Sequence, residues 1–404
     1  MSTAAEAKPG AQPTFVGWLV SLRDRVSQGE VGSLPVIVGI ILIWAVFWFL
    51  NPNFLTPRNL TNLVLQITAL GTVSVGIVLV LLLGEIDLSV GVVSGLCAAI
   101  MAVLNVKSGL PAPLAIAIAI VAGLVVGLFQ GIVFTRFNIP SFVVTLAGLL
   151  AWQGALLLVL GETGTINIFD PTIDGLTGTF LPVAAGWVLG LVVVALYVGA
   201  LFWRRSRRLA SGLPVNQPTE FAGRIALALA AVLVAIGVLN ADRGVPLALV
   251  ILLALVVGFD YVTRRTRFGR YMFAVGGNAE AARRAGISVD GIRIAVFALA
   301  GTLAACGGIL AASRLLAVNQ SSGGSDFLLN VIAAAVIGGT SLFGGRGSVW
   351  SAITGALVIG SITNGMDLLA LTSDKKFIVT GAVLLAAVVI DALARQGRQA
   401  SGRG

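Results

Sequence analysis

Thr263–Val296, TRRTRFGRYMFAVGGNAEAARRAGISVDGIRIAV, is a polar interruption between two long apolar runs. At its centre, Asn278-Ala279-Glu280-Ala281-Ala282-Arg283-Arg284-Ala285-Gly286 reads as a short helix. The side-chain carbonyl of Asn278 is placed to accept an otherwise unpaired backbone N–H of the first turn. Glu280 sits at the positive end of the helix dipole, and Arg283 and Arg284 sit at the negative end. Gly286 supplies the left-handed residue that stops the helix. Ala281 stands where a full capping box needs Glu or Gln. So short a helix is not stable alone in water. It must dock on something, and its alanines let a partner approach closely. Ala282 is the position where a bulky replacement is expected to block such a partner.

The flanks of that stretch set the class. The chain of 404 residues is 57% hydrophobic and 11% charged, with no His, and its mean hydropathy is +1.01. Apolar runs of about twenty residues recur, the length that crosses a ~30 Å hydrocarbon core. The expectation is an all-α, polytopic integral membrane protein. Twelve candidate spans fall at about 34–50, 62–83, 88–104, 112–135, 141–160, 183–203, 223–239, 245–262, 293–312, 328–343, 349–366 and 377–393. Fifty glycines suit close helix–helix contacts in a bilayer. Cys97 and Cys306 lie inside apolar runs, which predicts reduced core thiols and no transition-metal site.

Lys and Arg placement orients the chain. With twelve spans and an inside N-terminus, all but six of the 26 basic residues fall on the cytoplasmic side. Arg58, Lys107, Arg243, Arg314, Lys375 and Lys376 are the exceptions. The +9 net charge therefore reports orientation and not nucleic-acid binding. The predicted organisation is a cytoplasmic tail over 1–33, a transmembrane domain over 34–393 and a cytoplasmic tail over 394–404. The interruption, written as a loop over 263–293, then faces the cytoplasm, where a soluble partner reaches it. No loop on the other side is large enough for a receptor or catalytic domain.

Four further stretches carry candidate chemistry. In Gly84-Glu85-Ile86-Asp87-Leu88-Ser89-Val90-Gly91, two carboxylates stand between apolar runs. Charges at bilayer depth default to a functional hypothesis; the plainer reading has Asp87 capping a helix that begins at Leu88 and Glu85 in a cytoplasmic turn. Asn62 and Gln66 are four apart and share a face. They either line an aqueous path for a hydroxyl-rich solute or bond between helices. Gln130, Gln153, Asn330 and Asn364 are solitary amides for which the structural role is the plainer one. Gly338–Ser348, GGTSLFGGRGS, is a second glycine-dense break, and its pairing with Gly84–Gly91 hints at an internal repeat.

Other charges have simple explanations. Asp260 with Arg264 and Asp391 with Arg395 are spaced to pair along a helix, and Arg204–Arg208 is an anchor near lipid phosphates. No lysine sits in a Walker A frame, and no nucleophile–base or metal-ligand cluster is present. The enzyme reading is poor on that inventory.

The quoted stretches carry a resemblance. With PRNLTNLVLQ (Pro57–Gln66), FNIPSFVVTLAGL (Phe137–Leu149), TRFGRYMFAVGGNAEAARRAGI (Thr266–Ile287) and AAVIGGTSLFGGRGSVW (Ala334–Trp350), GEIDLSVG places the chain close to a known family. It resembles the permease subunits of bacterial ABC sugar importers of the ribose, galactose and xylose type. Family members commonly show Gly-Gly-Ile-Asp-Leu-Ser, where this chain has Glu85 at the second position. An extra pair of spans over about 183–245 is similar to the xylose branch.

The resemblance implies a cell (inner) membrane location and a second permease chain, giving a homodimer. It also implies a cytoplasmic ATPase that holds the ATP and Mg, and an extracytoplasmic sugar-binding protein. This chain would bind no cofactor. It implies that Asn278–Gly286 is the coupling helix seated in the ATPase, and that the solute is a monosaccharide, xylose first. Asn62, Gln66, Glu85, Asp87 and Ser89 are then candidates for the path or gate. An ion-coupled secondary sugar transporter, with Glu85 and Asp87 as its ion site, is the alternative.

Overall fold

A computed structural model of the chain describes residues 34–213, 215 and 218–400. The expected tail over 1–33 lies outside the described residues, as do the last four residues of the tail over 394–404. Each predicted apolar stretch carries a helix: α1 Leu34–Leu50, α2 Pro57–Leu82, α3 Val90–Ala102, α4 Ala112–Arg136, α5 Ser141–Leu160. Then follow β1 Thr165–Asn167, α6 Pro171–Gly178, β2 Phe180–Leu181, α7 Val183–Ala210, α8 Pro218–Asn240, β3 Val245–Pro246 and α9 Leu247–Arg265. The rest is α10 Arg267–Gly277, α11 Ala279–Arg284, α12 Val289–Leu315, β4 Ala317–Asn319, α13 Ser325–Ile337, α14 Trp350–Leu368 and α15 Ser373–Ala400.

Among the described residues, eight helices are long and apolar enough to cross a membrane, and two shorter apolar helices lie at Val36–Leu50 and Ser325–Ile337. Element ends differ from the sequence expectation for physical reasons. α2 begins at Pro57, earlier than expected, because proline is pre-organised for the first helical turn. α13 stops at Ile337, six residues short of the predicted 343, where a run of glycines begins. Gly339, Gly344 and Gly345 hold φ of 104°, 81° and 70°, values that side-chain-bearing residues rarely adopt. α15 continues helically through Ala400, so residues 394–400 of the expected C-terminal tail continue the last helix. The Asp391–Arg395 pairing falls on side chains outside the described set; the Asp260–Arg264 pair forms, at 2.7 Å.

The core is built around α2 and α12. α12 packs on α4, α2 and α3, and α2 also packs on α14 and α13. The α4–α12 seam rests on Gly123, Gly127 and Gly131, four residues apart and so on one face. A Cβ at Gly123 would strike the carbonyl of Gly301, one at Gly127 the carbonyl of Phe297, and one at Gly131 the Cα of Ile294 at 2.9 Å. Small residues let two backbones approach closely where apolar burial gives no net drive between helices. Two short antiparallel ladders, β1 with β4 and β2 with β3, tie loops together at one end of the bundle. Nothing in the residues foretells them, since two or three positions carry no readable alternation.

Candidate functional site

The residues singled out in the sequence fall at opposite ends of the bundle. At the end where α2 finishes, Gly84–Ser89 leaves the helical path and is held by its neighbours' side chains. The Ser141 hydroxyl accepts from the Ile86 N–H at 3.2 Å, and the Thr145 hydroxyl accepts from the Leu88 N–H at 3.1 Å. α3 begins at Val90 with Ser89 as its N-cap residue, not at Leu88 as the capping reading had it. Asp87 stands just ahead of that turn: its Oδ1 accepts from the Ser89 N–H at 2.8 Å and the Ser89 Oγ–H at 2.7 Å. Gln130 donates to Ser89 Oγ at 2.8 Å, which gives this amide its structural role.

Glu85 is not a solvent-facing turn residue. Its Oε1 lies 2.8 Å from Arg293 Nη2, with side-chain exposures of 14% for Glu85 and 23% for Arg293. That pair ties the break after α2 to the start of α12.

Three backbones meet beside it. Gly345 N–H donates to the Leu82 carbonyl at 2.9 Å. A Cβ at Gly276, near the end of α10, would strike that same carbonyl, and one at Gly344 would come within 2.6 Å of the Gly276 carbonyl. The two glycine-dense breaks therefore touch each other through the end of α10. Arg264 adds a bond to Ser348 Oγ at 2.8 Å.

α11 projects from this junction. Asn278 Oδ1 accepts from Ala281 N–H at 2.9 Å, the predicted cap, a contact whose loss costs about 1 kcal/mol in comparable helices. Glu280 pairs with Arg284 at 3.0 Å and with Arg283 at 3.6 Å; exposed pairs of this kind contribute roughly 0.2–1 kcal/mol. Gly286 holds φ of 81°. The face of α11 is mixed: Ala282 is buried against the bundle and Ala279 is half-buried, whereas Asn278, Glu280, Ala281, Arg283, Arg284, Ala285 and Gly286 are exposed. Ala282 is thus a packing residue, and Ala281 and Ala285, four apart on the open side, are the small residues a partner can reach. α10 was missed as a separate helix. Its signals were present in Thr266, whose Oγ accepts from Gly269 N–H at 3.2 Å, and in the Phe268, Met272, Val275 spacing.

The opposite end holds a polar cavity of about 490 Å³, within the size range of small-molecule sites. Asn62 and Gln66 line it with Asp174, Arg243, Arg314 and Asp367. Arg243 donates to Asn62 Oδ1 at 3.2 Å and lies over the Phe180 ring at 4.4 Å. Asp367 pairs with Lys376 at 2.6 Å. A second cavity, of about 250 Å³, shares Gln66, Arg314 and Asp367 and runs inward to Asn330 and Thr363. Along α2, Gln66 and Leu82 are about 24 Å apart at 1.5 Å per residue. Asn62 and Gln66 therefore belong to one site, and Glu85, Asp87 and Ser89 to another.

Asn59, one turn from Asn62, takes the interhelical role and donates to Asn364 Oδ1 at 2.8 Å. The charged members of the cavity escaped the sequence reading. The available signal was that Arg243 and Arg314 are among the six bases that break the charge bias.

Residues 59–388 match the family described as branched-chain amino acid transport system / permease component. The chain is 40% identical over 363 residues to the xylose transport system permease protein XylH of Escherichia coli strain K12, covering 90% of this chain and 91% of that one. It is 37% identical to the XylH protein of Haemophilus influenzae, covering 88% and 95%. It is 32% identical to the ribose import permease protein RbsC of Bacillus subtilis strain 168, covering 90% and 94%. No solved structure matches the chain.

Proposed function

The chain belongs to the branched-chain amino acid transport system permease-component family, and from that premise we propose that it is the membrane-spanning subunit of an ATP-driven importer of a monosaccharide, xylose first. It carries no ATPase of its own. The observation that carries the sugar assignment is the 40% identity to a xylose permease over nine-tenths of both chains. The polar cavity agrees with it: amides and carboxylates offer acceptors, and guanidinium groups offer donors, to a solute rich in hydroxyls.

In this reading the chain crosses the inner membrane twelve times with both termini in the cytoplasm, and two copies form the path. The eight long apolar helices supply most of the crossings. α1, α13, α14 and α15 supply the rest. α11 faces the cytoplasm and seats in the partner ATPase through Ala281, Ala285 and the arginines beside them. The loop over 263–293 is then the coupling segment. The cavity around Asn62 and Gln66 opens to the outside, where a sugar-binding protein delivers the solute.

Motion of the ATPase reaches the spans through the junction of Gly276, Leu82 and Gly345 and through the Glu85–Arg293 pair. A permease of this kind alternates between two arrangements of the same packed elements. Asn62 and Gln66 are the entry and Glu85, Asp87 and Ser89 the inner gate.

The test is sugar uptake into vesicles that hold this chain, its ATPase and the binding protein. Uptake is expected to need internal ATP and to survive an uncoupler. Uptake that runs without ATP and collapses with an uncoupler would establish the ion-coupled alternative instead.

A further inference from the structure

α7 and α8 sit on the flank of the bundle, packed on each other and, through α8, on α2. The proposed transport route gives this pair no task. It reaches the polar cavity through Arg243, in the turn between α8 and β3.

That turn is tightly built. The N–H groups of Asp242 and Gly244 both donate to the Leu239 carbonyl, at 3.2 and 2.9 Å. Phe180 pairs with Pro246 and Leu181 with Val245 in the β2–β3 ladder, and the Leu247 N–H donates to the Thr179 carbonyl at 2.9 Å. Gly244 holds φ of 104°, and a Cβ there would strike the Leu181 carbonyl. At the base of the turn, the Asn240 amide donates to the Val183 carbonyl at 3.4 Å and clamps the end of α8 to the start of α7.

Arg243 is held as firmly as its backbone. Its guanidinium lies over the Phe180 ring at 4.4 Å, and its Nε pairs with the Asp242 carboxylate at 3.1 Å. A guanidinium stacked by its face keeps its in-plane N–H fork for hydrogen bonds. Nη2 of that fork donates to Asn62 Oδ1 at 3.2 Å.

This bond decides what Asn62 presents. A guanidinium has no acceptor, so the amide oxygen must face Arg243, and the amide nitrogen is left with its donors for the cavity. Among the described residues that nitrogen has no hydrogen-bond partner. Asp174 and Asp367 line the same cavity, and an ionised carboxylate offers only acceptors. A sugar hydroxyl both donates and accepts. It can therefore accept from Asn62 and give its own proton to a carboxylate. With the amide turned over, two acceptors would compete for that one proton.

We propose that Arg243 is a positioning residue for the solute: by holding the Asn62 oxygen it makes Asn62 a donor toward the cavity, which gives the α7–α8 pair a part in recognising hydroxyls. The proposal deepens the transport reading and rests on it. It requires no contact between Arg243 and the solute.

The experiment is xylose uptake into vesicles that hold the natural or variant chain, its ATPase and the binding protein, scored as xylose moved per ATP hydrolysed. R243M is expected to move roughly five-fold less xylose per ATP, the worth of one hydrogen bond, with ATP hydrolysis unchanged. R243K keeps a donor for the Asn62 oxygen without the fork and should recover part of the loss. N62D keeps a partner for Arg243 but shows the cavity acceptors alone, so it should lose at least as much as R243M. Because Arg243 acts through Asn62, adding R243M to N62L should cost nothing beyond N62L itself.

If the natural chain transports and R243M matches it, this proposal falls alone. Full uptake by N62D would also overturn it, since the donors of Asn62 would then have no role. Losses that multiply in R243M/N62L would show that Arg243 acts independently of Asn62. A natural chain that moves no xylose with ATP would sink the transport reading, and this proposal with it.

Discussion

α2 and α8 are both apolar enough to cross a membrane, yet 89% of the most apolar window of α2 is buried inside the protein and only 11% of that of α8. Composition does not separate them, because lipid tails are as apolar as a protein core. The spacing of small and hydroxyl residues does. α2 carries Thr68, Gly71, Thr72, Ser74 and Gly76, all buried, and α12 meets it with Ala300 against Gly76 and with Gly307 against Ala69 and Val73. In α7, a Cβ at Gly199 would meet nothing within 4 Å. Glycine count is therefore informative only with its register. The inner set is where backbones touch, and the α7–α8 pair is an outer flank.

That contrast can be broken most severely at the α4–α12 seam. Gly127→Leu would drive a side chain into the Phe297 carbonyl, and backbone cannot step aside as a flexible side chain can; overpacking of this kind costs about 1–3 kcal/mol or more. We expect the variant to lose its monodisperse peak on size-exclusion chromatography, while Gly199→Leu keeps it. If both behave alike, the inner–outer distinction is wrong.

A second test asks which part transmits force. Ala281→Trp or Ala285→Trp on the open face of α11 should reduce ATP-driven uptake at least tenfold with normal membrane levels. Leu196→Trp on α7 should leave uptake unchanged. Full activity in the α11 variants would remove this helix from the coupling path.

The Glu85–Arg293 pair sharpens the comparison from within the inner set. Removing one partner of a half-buried pair leaves the other without its counter-charge, so Glu85→Gln should lower uptake several-fold. The exchange Glu85→Arg with Arg293→Glu should recover part of it. No recovery would mean that each charge has a separate task.

The smallest effect belongs to the rim. Burial pushes the Asp170 carboxyl up, but the bond from Asn105 and those from the Thr172 and Ile173 N–H groups outweigh it and hold the group below its ordinary value. A depressed folded value means that the stabilisation is present above the unfolded pKa of about 3.9 and fades as pH falls through the folded one. Asp170→Ala should therefore cost about 1 kcal/mol at neutral pH, read as a lower melting temperature. The gap to the natural chain should close on acidification below that point.

Much of this was legible in the residues. The helix at Asn278–Gly286 with its cap and stop, the helical stretches and the glycine-dense breaks follow from local rules that act within a few residues. What stayed hidden depends on residues far apart in the chain. Nothing near Glu85 announces Arg293, and nothing near Asn62 announces Arg243. The inward turn of Ala282 could not be read either, because six helical residues have no periodicity long enough to fix a face. The strand ladders escaped for the same reason of length.

α13 has one consequence that concerns electricity more than shape. The inner cavity reaches Asn330, and the glycine break resumes at Gly338, so only Val331–Ile337 separates them, about 10 Å of helix. The plug consists largely of the buried Val331, Ala333, Ala334, Ala335 and Val336. If α13 crosses the membrane as proposed above, a transmembrane voltage, worth about 2.3 kcal/mol per unit charge per 100 mV, falls across this thin dielectric in place of the ~30 Å of surrounding hydrocarbon. On that reading, close-fitting small side chains in the plug keep an energised cell from leaking ions through a resting copy of this protein.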